Sequence, residues 1–163
     1  MKIVSHDFIQ SLSSKAFTSE RRRANFNLHE TLDDSVQRFF NAMEPDTYVR
    51  PHRHDGDEKW ELFIVIRGKA CAVTFDENGV IQERQILDCH SENIAIEIPA
   101  RAWHTIVSLE PGTIMFECKR GPYTPVSDKD FASWAPQEGE ADVVKFLDWF
   151  QTGAIGELPP PKS

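Results

Sequence analysis

The spacing of apolar positions changes along the chain. Near the start, Phe8, Ile9 and Leu12 lie at helical spacing behind Ser5 or Asp7 as a cap, which predicts a short amphipathic helix. Val36, Phe39, Phe40 and Met43 repeat the i, i+3, i+4, i+7 pattern, and Pro45 predicts the end of a second helix. The intervening RRRANFNLHET shows no clear period. From about residue 46 to 120 the pattern becomes strand-like. LFIVIRGKACAVTF is rich in β-branched and aromatic residues, and Asn78-Gly79 after it is a strong hairpin signal. VIQERQIL, NIAIEIP, HTIVSL and TIMFECKR follow, separated by turn residues such as Glu110-Pro111-Gly112. Short strands every 8–12 residues predict an antiparallel sandwich or barrel. Near the end, Val143, Phe146, Leu147 and Phe150 form one helical stripe before Gly153. That stripe suits a lid on the outside of the sheets, with a homodimer contact as the lesser alternative.

At 163 residues the expectation is one domain: an N-terminal helical extension (1–45), a β-barrel (46–120) and a C-terminal segment with one helix (121–163). The hydrophobic share of 40% and charged share of 27% are those of a globular chain. The net charge of -8 disfavours nucleic acid and anionic membrane as partners. Cys71, Cys89 and Cys118 are odd in number and far apart, so they predict neither a disulfide framework nor a zinc knuckle. The start lacks an apolar leader and no run approaches a membrane span, so a cytoplasmic location is expected.

The histidines bring in chemistry. His52 and His54 are two residues apart, and TYVRPHRH suits an extended chain, so both imidazoles share one face. Glu61 heads an apolar strand and shares a face with Phe63 and Val65. His104 heads a later strand and shares a face with Ile106. Three imidazoles and a carboxylate can therefore point inward from strand ends. Such a set suits one divalent transition metal ion (Zn, Fe, Mn or Ni, with Co and Cu also compatible) and leaves open positions for a ligand. G-x-S-x-G, P-loop and G-x-G-x-x-G motifs are absent, and no thiol has a paired histidine.

His52-x-His54, Glu61, Gly68 separated from it by six residues, and Pro99 five residues before His104 resemble the two-motif signature of cupins, which are small jelly-roll barrels. The resemblance implies that His52, His54, Glu61 and His104 are the metal ligands. The chain departs from the family pattern at Asp46, Arg101 and Ser108, which stand where cupins usually carry Gly, Gly and Asn. The spacer between His54 and Glu61 is six residues, against the usual three or four. Glu58 stands at the usual offset and is the rival carboxylate, whereas the register set by Gly68 favours Glu61. RRRANFNLH, TYVRPHRH…KWELFIVIRG and ECKRGPY…DFASWAP are similar, over nearly the whole chain, to the WbuC family of cupin metalloproteins. That family is associated with bacterial surface polysaccharide (O-antigen) gene clusters.

Strand parity nominates the rest of a pocket. Tyr48 and Arg50 alternate with His52, and Ser108 with His104. Arg50 would either clamp an anion or pair with Glu97 or Glu117. Arg21, Arg22 and Arg23 suit a solvated face, while Asn25, Asn27 and His29 fit an edge strand leading to the barrel mouth. The expected substrate-binding set is Arg50, Arg23, Asn27, Ser108, Lys119 and Tyr123, with Arg120 beside it. His29, Tyr48 and Glu97 are the candidates for proton transfer. His6 and His90 read as surface residues, and Trp60 and Trp103 as outer-face packing. The leading functional expectation is a metal-dependent isomerase, epimerase or lyase acting on a small, anionic or sugar-derived metabolite. The alternatives are an Fe(II)-dependent dioxygenase and a non-catalytic ligand-binding or sensing module.

Overall fold

A computed structural model describes residues 1–125, 127 and 130–163. The helix predicted near the start is α1 (His6–Thr18), whose N-cap Ser5 accepts a hydrogen bond from the Phe8 amide. Among the described residues eight strands follow: β1 (Arg23–Asn27), β2 (Val36–Met43), β3 (Glu61–Arg67), β4 (Lys69–Phe75), β5 (Ile81–Asp88), β6 (Ala95–Ile98), β7 (Trp103–Ser108) and β8 (Thr113–Arg120), before α2 (Val143–Thr152). They form two antiparallel sheets, β1-β2-β8-β3-β6 and β5-β4-β7. The fold is a mainly β jelly roll, built among the described residues as two facing sheets rather than one closed ring.

Alternation along the strands explains the layering. Met43, Phe63, Val65, Ala70, Ala72, Ile106 and Met115 point between the sheets and make the central core. The opposite face of the smaller sheet carries Cys71, Val73, Phe75, Trp103 and Val107, which α2 covers with Phe146, Trp149 and Phe150. The outer face of the larger sheet carries Phe40, Ala42 and Ile114, which α1 covers with Ile9, Leu12 and Ala16. The C-terminal stripe is thus a lid on the outside of the sandwich.

Residues 36–43 correct the helix expected there. They form β2, paired on one side with β1 and on the other with β8. Phe40 and Ala42 face α1 while Phe39, Asn41 and Met43 face the interior, so β2 is covered on both faces. A strand covered on both faces loses its polar–apolar alternation, and four of its apolar residues happened to fall at helical spacing. Residues before 46 therefore add two strands to the larger sheet instead of forming a purely helical extension.

The passage between sheets is short. Gly68 alone separates β3 from β4, with φ +75°, and a Cβ there would lie 2.6 Å from Thr113 Oγ1. Arg101, standing where the cupin pattern has glycine, itself adopts φ +65°. All three cysteines are free, and burial pushes the Cys71 thiol up. Among the described residues, no helix is long and apolar enough to cross a membrane.

Candidate metal centre

Both sheets contribute to one end of the sandwich. His52 lies in an extended segment whose backbone exchanges two 3.0 Å hydrogen bonds with His104 on β7, adding an edge to the smaller sheet. Glu61, the first residue of β3, pairs with Ile98 on β6 and Lys119 on β8, in the larger sheet. Across the gap, potential ligand atoms of His52, His54, Glu61 and His104 lie within 4.8 Å of one another. His104 Nε2 is 2.7 Å from Glu61 Oε2, and His54 Nε2 is 3.0 Å from Glu61 Oε1. His54 Nε2, His104 Nε2 and Glu61 Oε2 are nevertheless buried without an aligned hydrogen-bond partner. Close approach without alignment is what donors show when they converge on a shared point rather than on each other. The residues therefore fit a divalent ion, with three nitrogens and one carboxylate oxygen.

Backbone carbonyls prepare the donors. His52 Nδ1 lies 3.0 Å from Arg50 O, and His104 Nδ1 lies 2.9 Å from Ala102 O, which turns each Nε2 inward. Burial, with help from His104, pushes His52 down to about 3, so its ring is neutral. Burial pushes the Glu61 carboxyl up, but His104, His54 and Lys119 outweigh it and hold it well below its ordinary value. For His104, burial acts downward and Glu61 wins, leaving the imidazole raised. A metal ion held here would take over from the raised His104 imidazole in balancing the charge of Glu61.

Glu58, the rival carboxylate, is exposed and pairs instead with Arg120 at 2.7 Å. Glu58→Gln is expected to leave metal stoichiometry unchanged and stability within about 0.5 kcal/mol, while Glu61→Gln removes the bound ion. Metal analysis of both purified variants checks this, and the reverse outcome would assign the ligand to Glu58.

Two cavities meet at the cluster. The outer one, about 460 Å³, is lined by His52, His54, Lys59, Trp60, Lys119 and Tyr123 among others. The inner one, about 150 Å³, lies between the sheets and includes His52, Glu61, His104, Asn41, Glu117 and Lys119. Of the expected substrate-binding residues, Lys119 and Tyr123 are at these cavities.

The others are elsewhere, which corrects the parity reading. Residues 44–51 are not a regular strand, so alternation does not carry back from His52. Val49 faces the inner cavity, and Tyr48 packs against Phe150 and donates to Pro136 O. Arg50 lies over the Phe131 ring and donates to Ala132 O, reaching neither Glu97 nor Glu117. Arg23 donates to Tyr48 O and to Glu138, and Asn27 is exposed on β1. Ser108 is buried and donates to Glu110 O. Glu97 is exposed opposite Leu62, on the face away from Glu61. His29 is buried beside Phe39, with Nδ1 accepting from the Arg38 amide. Trp60 lines the outer cavity, whereas Trp103 packs on the outer face as expected.

The sequence reading missed the site roles of Glu117 and Asn41. Lys119 Nζ donates to Glu61 Oε1 at 2.7 Å and contacts Glu117 Oε1 at 2.9 Å. Asn41 Nδ2 donates to Glu117 Oε2 at 2.7 Å. The alternation Met115, Glu117, Lys119 on β8 carried this signal, since Met115 belongs to the central core. Asn41 was hidden by the helical reading of β2.

Solved structures share this architecture. A conserved protein of unknown function from Streptococcus pyogenes matches with a TM-score of 0.51 at 13% identity, over 76% of this chain and 90% of that one. Oxalate oxidase in complex with glycolate matches with a TM-score of 0.51 at 13% identity, over 66% of this chain and 55% of that one. A cupin superfamily protein from Desulfitobacterium hafniense matches with a TM-score of 0.48 at 20% identity, over 67% of this chain and 86% of that one. At such identities the likeness concerns the fold alone, the two-sheet jelly roll. No curated protein sequence matches the chain. One family model does match, over residues 4–87, from before α1 through nearly all of β5, and it takes in His52, His54 and Glu61: the chain belongs to the family described as a domain of unknown function (DUF6016).

Proposed function

We propose that this chain is a metal-dependent cupin enzyme of the WbuC-like kind, acting on a small, anionic, sugar-derived metabolite in surface polysaccharide (O-antigen) biosynthesis. The observation that carries the metal is the convergence of His52, His54, Glu61 and His104 with three buried donor atoms left unaligned. A divalent ion held there would supply Lewis-acid polarisation of a ligand carbonyl or hydroxyl oxygen. The outer cavity falls within the roughly 300–1,000 Å³ typical of small-molecule sites. Lys59, whose Nζ donates to the carbonyls of Arg120 and Pro122, brings positive charge to its wall, and Trp60 and Tyr123 offer faces for a sugar ring. This chemistry suits an isomerase, epimerase or lyase.

A non-catalytic binding module is the second reading, and one observation favours it: His29, Tyr48 and Glu97 all lie outside the two cavities. Glu117 and Lys119 answer that objection, because they put ionisable groups inside.

Elemental analysis of protein purified without a tag or added metal is expected to find one divalent transition-metal ion per chain. Zinc as that ion, with no O₂ uptake after iron loading, would also exclude the dioxygenase. Metal-free protein that fails to bind Zn, Mn, Fe or Ni in calorimetric titration would overturn the proposal.

A further inference from the structure

The inner cavity differs in character from the outer one. Its walls are largely apolar, with Phe39, Met43, Val49, Phe63, Ile106 and Met115. Into this wall the chain places Glu117, only 6% exposed, on the β8 face that also carries Lys119. A carboxylate beside apolar walls is costly to bury unless its oxygens are satisfied. Both are engaged, Oε2 by Asn41 at 2.7 Å and Oε1 by Lys119 at 2.9 Å. Because the same ammonium holds Glu61 at 2.7 Å, Glu117 is tied to the cluster through a single nitrogen. Burial pushes the Glu117 carboxyl up to about 7, with Lys119 and Asn41 acting downward and Glu61 upward. A group balanced near neutrality can both take and return a proton.

We infer that Glu117 is the proton-transferring residue of this site, held by the positioning residues Asn41 and Lys119 against a ligand bound at the His52–His54–Glu61–His104 cluster. The inference rests on the proposed function and names its acid–base group. The substrate class is a small hydroxy-aldehyde or hydroxy-ketone whose carbon next to the carbonyl reaches the inner cavity. A Glu117 oxygen forms an O–H bond with the proton of that carbon. The C–H electron pair becomes a carbon–carbon double bond, and the carbonyl π pair moves onto oxygen, within the field of the Lys119 ammonium. Returning the proton to the other face of the same carbon restores the carbonyl and the carboxylate. Delivering it to the former carbonyl carbon does so once the enediolate's hydroxyl proton has passed to the neighbouring alkoxide oxygen, so that the carbonyl forms at the other carbon. No oxidant or reductant is needed.

The test follows deuterium wash-in from D₂O by proton NMR, using metal-loaded protein with dihydroxyacetone, glyceraldehyde and glucuronate as probes. Wild-type protein is expected to exchange the proton next to the carbonyl of at least one probe. Glu117→Gln should slow that exchange by about 10²–10⁴-fold at unchanged metal stoichiometry. Glu117→Asp should keep part of the rate with a shifted pH profile, which a merely structural carboxylate would not produce. Infrared spectra near neutral pH should show a protonated-carboxyl band that Glu117→Gln lacks. Equal exchange in wild type and Glu117→Gln, exchange of no probe above buffer, or no such band would overturn the inference. Failure of the wild type to bind metal would instead overturn the reading beneath it.

Discussion

His104→Ala is expected to abolish stoichiometric metal binding and, with it, the metal-dependent part of thermal stability. His104 is 3% exposed, its Nδ1 is held by Ala102 O, and its Nε2 lies closest of the imidazole nitrogens to Glu61. Alanine removes one of four donors and leaves Glu61 Oε2 facing a void. His52→Ala, which removes the ring 4.6 Å from that of His104, should do the same. An ion that binds only the folded chain stabilises it by about 2.7 kcal/mol at a hundredfold excess over Kd. For a domain of this size that raises Tm by roughly 5–11 °C. The wild type should show that rise when metal is added, while both variants should gain less than about 1 °C. His90→Ala, at an exposed position, serves as the unaffected control. The affinity should also depend on pH. His104 holds its proton more tightly than a free imidazole, so an incoming ion must displace that proton. Affinity therefore rises as pH climbs through and beyond the ordinary histidine range, and falls below it. Elemental analysis and thermal scans with and without metal decide the matter. Full metal content in both variants would refute the assignment.

How much of this was legible depended on whether a segment had one face or two to hide. β3, β4, β5, β7 and β8 were readable because turn residues bracket runs of β-branched residues, and α1 and α2 because each presents a single stripe to a sheet. β2 was not readable, because α1 covers one of its faces and the central core the other. The same rule applies at the site. His52 and His54 share a face by spacing alone, and Glu61 and His104 alternate with Phe63 and Ile106, which are core residues. Parity failed for Tyr48 and Arg50, since the chain before Pro51 leaves the sheet geometry and alternation has no meaning there. Glu117 shares its face with Met115, but a single strand does not say which face is inside. Asn41 could be placed only through its partner, because its contact with Glu117 joins positions far apart in sequence.

Lys119→Met tests the charge arrangement those residues complete. Its ammonium lies 2.7 Å from Glu61 and 2.9 Å from Glu117, whose side chains are only 3% and 8% exposed. Burial works against its charge, but the two carboxylates outweigh it and hold the lysine well above its ordinary value, so it stays charged between pH 5 and pH 8. Methionine keeps most of the volume and removes the charge, leaving two buried carboxylates near each other. Breaking a buried pair in this way costs about 3–5 kcal/mol. The cost should depend on pH, with a sign fixed by Glu117. In the folded wild type this carboxyl is raised from about 4.5 to about 7, mainly by burial, so between those values the folded chain binds more protons than the unfolded one. Its contribution is thus fully present below the lower value and is lost as pH rises through the upper one. Without Lys119 the carboxyl rises further, and the loss continues above pH 7. The stability gap between Lys119→Met and wild type should therefore be smaller at pH 5 than at pH 8, read from urea midpoints of metal-free protein. Adding Glu117→Gln to Lys119→Met removes one of the opposed charges and should recover part of the loss at pH 8. It should recover less at pH 5, where Glu117 is already protonated. A gap independent of pH, or no recovery in the double variant, would show that Lys119 acts through packing and does not bind the two carboxylates together.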